Sequence, residues 1–323
     1  MACCRSGSAN LPLIFAVSSL EVFLSAVFRK CNKQLSLLKQ IVINALGQRA
    51  AFVVSGVDGV KSQLRKMVKA AGARFLARDA ERYSFRNCIF VIAHMRCGST
   101  ALSNIICSRD DVTGYGEAHI RYDARSAIGA LALNMRRRGG WTPGARYFFD
   151  KILHSRHDLA APPEFFQSRA IFMLREPEPA IRSIFKLYRD LGRSEYGTHA
   201  LAADYYIERV TAMAALWARF APGQRFGLTH ADLLSDPEGL LATMSDALRF
   251  DPPLRNSYQS LAASRVGGGG DPMVSGQHNR IEPGLLKPAG DLGNLDLAAG
   301  QAESAICAFE AMARLIARQS QNP

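Results

Sequence analysis

The stretch "CIFVIAHMRCGSTAL", Cys88–Leu102, joins a continuous apolar run to an arginine, a small-residue turn and the opening of a helix. An unbroken apolar run with β-branched members fits a strand buried on both faces, as in a parallel sheet. The turn Arg96-Cys97-Gly98-Ser99-Thr100 brings several main-chain N–H groups toward one point, and the dipole of the helix beginning near Gly98 adds positive potential there. Such a turn cradles an anion. Arg96 adds a planar cationic donor, and the Ser99 and Thr100 hydroxyls can bond the same phosphate. The Walker pattern G-x-x-x-x-G-K-S/T would need glycine at Ala93 and lysine at Ser99, so it fails at both places. A P-loop-type small-molecule kinase is therefore the second reading. Neither Cys88 nor Cys97 has arginine six positions on, since those places hold His94 and Ser103, which disfavours a cysteine phosphatase.

Further units of the same kind follow. "AIFML" (Ala170–Leu174) reads as a strand, with a helix starting at Pro177 or Pro179. "RYFFDKIL" is an aromatic strand-like run, and "VTGYGEAHIRYD" begins with a short strand candidate. "LAADYYIERVTAMAALWARFAP" is a long amphipathic helix closed by Pro222, and "RFGLTHADLL" is a strand and its exit. "DPEGLLATMSDALRF" is a helix opened by Asp236 and Pro237, and a terminal helix spans about 299–319. Strands alternating with helices imply an α/β layered domain. The glycine-rich "RVGGGGDPMVSGQHNRIEPG" has no periodicity and reads as a long loop.

Before this core, from Lys33 to about Arg86, the chain is basic with helical period. Leu64, Met67, Val68 and Ala71 recur at spacings of three and four, and Lys61, Arg65, Lys66, Lys69, Arg74 and Arg78 supply charge. Residues 1–85 are thus expected to form a basic helical extension, whose charges mark a solvated helix face or, as the alternative, a contact with anionic lipid, and residues 86–323 the catalytic domain. "LPLIFAVSSLEVFLSAVF", Leu11–Phe28, carries Glu21 at its middle, which is costly in a bilayer; a packed or membrane-surface helix is the leading reading, with a span and a targeting segment as alternatives.

The chain has 323 residues, 48% hydrophobic, with lysine and arginine outnumbering aspartate and glutamate 40 to 28. The net charge of +12 points to anionic partners. The basic residues are dispersed and no nucleic-acid-binding module accompanies them, so nucleic acid is not an expected partner. Seven cysteines without a CxxC pair argue against a disulfide framework or zinc site and for a reducing compartment. The expected location is cytoplasmic, at the inner face of the membrane.

The segment Met95–Thr100 resembles the 5′-phosphosulfate loop of sulfotransferases that use 3′-phosphoadenosine 5′-phosphosulfate. Bacterial and carbohydrate-directed members of that family show P-R-x-G and two Ser/Thr after the first strand; here Met95 replaces the proline. "FMLREPEPAIRSIF" resembles the family's 3′-phosphate element, in which L-R-x-P is followed by a serine eight residues after the arginine; Arg175 and Ser183 keep that spacing. An arginine at a strand's end and a serine in the next helix can converge on one phosphate at the sheet edge. "THADLLSDPEGLLATM" resembles a segment with a structural role after the fourth strand, and the glycine-rich loop resembles one that closes over the nucleotide, with Arg280 as its cation. The resemblance covers about 86–288 and implies a three-layer, P-loop-like sulfotransferase fold with a central parallel sheet. It also implies 3′-phosphoadenosine 5′-phosphosulfate as co-substrate, held by Arg96, Cys97, Gly98, Ser99, Thr100, Arg175, Ser183 and Arg280, with no obligatory metal. A nucleotide-binding protein without catalysis is the remaining non-enzyme reading.

Sulfuryl transfer needs a group to deprotonate the acceptor and one to neutralise the leaving oxygen. Glu117 is the first choice as base and resembles the glutamate of the family's Gly-Glu segment; His119 is the second. Lys151, in a segment resembling F-x-x-K-x-L-H of bacterial relatives, would neutralise charge, and His154 would contact the acceptor. The Gly-Glu segment and the N-terminus favour a carbohydrate or glycolipid hydroxyl as acceptor.

Overall fold

A computed structural model describes residues 57–260, 278–284 and 290–319. The chain divides into two compact units, Met1–Val68 and Lys69–Pro323. The segment Leu11–Phe28 and most of the glycine-rich loop lie outside the described residues. Among the described residues no helix is long and apolar enough to cross a membrane.

Helix α1 (Val57–Leu76) ends ten residues short of Arg86. The expected helical period does not continue, because Asp79 accepts from the Arg82 N–H and Asn87 donates to the carbonyls of Glu81 and Arg82, which turns the chain instead. At its C-terminal end α1 buries Gly72 and Ala73.

The core is a five-stranded parallel sheet of β1 (Cys88–Ala93), β2 (Val112–Thr113), β3 (Tyr147–Ile152), β4 (Arg169–Leu174) and β5 (Arg225–Thr229), in the order β2-β3-β1-β4-β5. Every residue of β1 is buried, as its unbroken apolar run requires. The chain passes from β1 to one side of the sheet and then crosses to the other, so the order reverses at β1, the place where open α/β sheets bind ligands. Register aligns the exits: Ala93 pairs Met173, Ile92 pairs Ile152 and Leu174 pairs Thr229.

The flanking helices are α2 (Ser99–Cys107), α3 (Ser126–Arg138), α4 (Pro177–Asp190), α5 (His199–Trp217), α6 (His230–Ser235), α7 (Pro237–Leu248) and α8 (Gln301–Gln319). Their starts follow the expected signals. Pro177 opens α4, Thr198 caps α5 by accepting from the Leu201 N–H, and Asp236 with Pro237 begins α7. A glycine is required where α3 passes α1: a Cβ on Gly129 would lie 2.1 Å from the Ala73 carbonyl oxygen.

Candidate active site

Past β1 the chain turns sharply, with Arg96 at φ 64° and Gly98 at φ 90°, both left-handed. Gly98 is needed twice over, because a Cβ there would also meet the His230 ring at 2.9 Å. Gly98 sits at the N-cap of α2 and has no side chain that could accept from the first-turn N–H groups of that helix. Cys97 and Ser99 are buried. Burial pushes the Cys97 thiol up, so this residue offers the turn its main chain rather than a thiolate.

Three residues expected to hold phosphate converge. Arg96 donates through Nε to Ser183 Oγ at 3.0 Å, and Arg175 Nη1 donates to the Arg96 carbonyl at 2.9 Å. Arg175 Nε is buried with no hydrogen-bond partner among the described residues. Desolvation lowers the pKa of this guanidinium, and the neighbouring Arg96 charge lowers it further. A buried, partnerless cationic donor beside a second guanidinium suits an anion of high charge.

The loop itself is fastened by a neutral histidine. His94 Nδ1 lies 2.9 Å from the Met95 carbonyl while Nε2 accepts from the Arg175 N–H at 3.0 Å, which assigns the proton to Nδ1. Burial holds His94 down at about 3, so it stays uncharged and ties the exit of β1 to that of β4.

A second group forms at the exits of β2 and β3. Lys151, with its side chain only 2% exposed, places Nζ 3.3 Å from Glu117 Oε1 and 3.3 Å from Thr100 Oγ1. His119 Nε2 lies 4.0 Å from Glu117 Oε2. Lys151 thus bridges the candidate base to the anion turn, joining three of the expected residues. Beneath them Asp150 accepts from the Ala118 N–H at 2.7 Å, the Lys151 N–H at 2.9 Å and the Tyr122 hydroxyl at 2.6 Å. It thereby fixes the segment that carries Glu117. Burial pushes the Asp150 carboxyl up to about 7 despite these donors. His154 and His157 line the same pocket as Glu117 and Lys151, and burial pushes them down to about 3 and about 4.

Helix α5 supplies a set of supports that sequence reasoning missed. Tyr205 OH accepts from the Met95 N–H at 2.9 Å and donates to the Leu153 carbonyl at 2.7 Å. Tyr206 OH donates to the Arg175 carbonyl at 2.7 Å. Arg209, 1% exposed, donates to the Ala93 and Ile152 carbonyls and forks onto Asp158 with both bonds at 2.9 Å. One helix face therefore ties the exits of β1, β3 and β4 together. The signal was the i, i+1, i+4 placement of Tyr205, Tyr206 and Arg209 on the helix's buried face. Arg280 is not brought into the site: it pairs with Glu238 at 3.1 Å and Glu282 at 3.3 Å. Among the described residues no group of three His, Cys, Asp or Glu side chains is placed to hold a metal ion.

No protein-family model matches the chain, and no curated protein matches it. Solved structures do. The sulfotransferase domain of the Synechococcus PCC 7002 olefin synthase is 21% identical, with 70% of this chain and 94% of that one covered at a TM-score of 0.50. A sulfotransferase domain from the curacin biosynthetic pathway is 16% identical over 69% of this chain and 96% of that one, with a TM-score of 0.44. An Alicyclobacillus acidocaldarius sulfotransferase is 12% identical over 71% and 95%, with a TM-score of 0.41. The parallel five-stranded sheet with its flanking helices is an α/β fold that matches the fold of the olefin synthase sulfotransferase domain.

Proposed function

We propose that the chain transfers a sulfuryl group from 3′-phosphoadenosine 5′-phosphosulfate to a hydroxyl of a carbohydrate or glycolipid. The observation that carries this reading is the convergence of Arg96, Arg175 and Ser183, with the buried Arg175 Nε lacking a partner among the described residues. In this scheme Arg96, Gly98, Ser99, Thr100 and the Cys97 main chain hold the 5′-phosphosulfate, and Arg175 with Ser183 holds the 3′-phosphate. Arg280 is the cation of the closing loop and would have to leave Glu238 and Glu282 to reach the nucleotide.

Glu117 takes the proton of the acceptor hydroxyl, with His119 as second candidate. The acceptor oxygen then bonds to sulfur as the bond from sulfur to the bridging phosphate oxygen breaks. Lys151, already beside Thr100, neutralises the charge left on that oxygen, and 3′-phosphoadenosine 5′-phosphate departs. A glycolipid acceptor suits the basic N-terminal segment, whose lysines and arginines favour an anionic membrane surface. Calorimetric titration tests the reading: 3′-phosphoadenosine 5′-phosphate should bind, and ATP with Mg²⁺ should bind far more weakly. Binding of ATP alone would overturn it in favour of the kinase.

A further inference from the structure

His154 lines the pocket of Glu117 and Lys151 and also a second pocket, of about 330 Å³, that the transfer scheme does not use. Its walls come from the residues after β3, the turn before α5 and α5 itself. On a chain of net charge +12 these walls are acidic: Glu195, Asp204 and Glu208 face one guanidinium, Arg156. His154 adds no charge at neutral pH, since burial pushes it down to about 3. Asp204 accepts from a neutral amide, Gln301 Nε2 at 2.6 Å, and among the described residues it forms no ion pair. Among the described residues neither Glu195 nor Glu208 forms an ion pair.

Two observations beyond the carboxylates mark this as a binding pocket. The Tyr196 and Tyr205 rings line it with centroids 5.1 Å apart and planes tilted by 53°, so aromatic surface stands beside the acids. Ser155, only 7% exposed, lines it as well, and its hydroxyl has no hydrogen-bond partner among the described residues. A buried hydroxyl in that state is costly, and a polar ligand relieves it. Carboxylates with aromatic faces are the combination that selects an ammonium group over a neutral one. The volume is at the small end for ligand pockets, about 300–1,000 Å³, and suits a sugar residue.

We infer that this pocket recognises the acceptor and that the acceptor is a carbohydrate bearing a primary ammonium group, held by Glu195, Glu208 and the two tyrosines. The inference rests on the sulfotransferase reading. The test is calorimetric titration of the full chain, with and without 3′-phosphoadenosine 5′-phosphate, using fully de-N-acetylated chitotriose and its tri-N-acetylated counterpart. The charged sugar should bind at least about tenfold more tightly, and the Glu195→Gln/Glu208→Gln double variant should lose most of that advantage. Both side chains are exposed, so the double variant should keep its fold and its nucleotide affinity. Equal affinity for the two sugars, no binding of the charged one, or a preference unchanged in the double variant would overturn the inference. Failure of the nucleotide to bind, with the preference intact, would instead remove the sulfotransferase reading and leave the pocket assignment standing.

Discussion

The two ends of the candidate site are built differently. The phosphate end starts from main-chain geometry, one turn with two left-handed residues at the start of α2, and the Arg175 and Ser183 side chains converge on it. The other end is assembled from side chains that are distant in sequence: Glu117 after β2, Lys151 on β3, His154 beyond it and the tyrosines Tyr196 and Tyr205. Main-chain geometry is encoded in short motifs, whereas a side-chain assembly depends on the whole fold. The first end offers a guanidinium donor to an anion, whereas at the second Lys151 is already paired with Glu117.

That contrast can be broken most strongly at Glu117. Glu117→Gln should lower turnover by about 10²–10⁴-fold, the usual weight of a positioned base, with nucleotide binding nearly unchanged in calorimetry. Retained turnover would move the base role to His119. Next in size is the support beneath both ends. Arg209→Met leaves Asp158 buried and unpaired and should cost about 3–5 kcal/mol in urea denaturation, much of it recovered by adding Asp158→Asn.

Arg175→Ala sharpens the comparison from the phosphate side. It should weaken 3′-phosphoadenosine 5′-phosphate by about 10–100-fold, the weight of hydrogen bonds to a charged group, while adenosine 5′-phosphosulfate, lacking the 3′-phosphate, changes much less. Equal weakening of both ligands would place Arg175 at the sulfate instead.

The smallest effect is a slope in pH. Asp150, raised from 3.8 to about 7, holds a proton in the fold that the unfolded chain has released, so its contribution to stability is present below about 4 and lost as pH rises through 7. His94 and His154, lowered from 6.5 to about 3, act in the opposite sense: their contribution is present above 6.5 and lost as pH falls. Asp150→Asn removes the opposing contribution, so its stability should fall more steeply than that of the natural chain between pH 6.5 and 4. Equal slopes in urea denaturation would mean that Asp150 is ionised in the fold.

The sheet was legible because its strands are local objects: the unbroken apolar runs of β1 and β4 declare themselves without knowledge of their neighbours. The pairing of Arg175 with the anion turn was legible through spacing and resemblance together. Arg209 was not, because an arginine on an amphipathic helix normally belongs to its wet face. Its burial depends on Asp158, 51 residues earlier in the chain. Asp150 was missed for a related reason, since nothing local says that its neighbours will supply three donors. The end of α1 was misplaced because helical periodicity ran on past the point where Asp79 and Asn87 captured the backbone.

Met95 stands where the resembling loops have proline, and its N–H is the group that Tyr205 receives. A proline stiffens a turn from within, by removing a torsion. Here the stiffness is supplied from outside, by a helix more than a hundred residues further along the chain. The turn is therefore not a self-sufficient module. Excised as a peptide it would lose the hydrogen bond that anchors it, and grafted into another sheet it would need a tyrosine brought along in the same position.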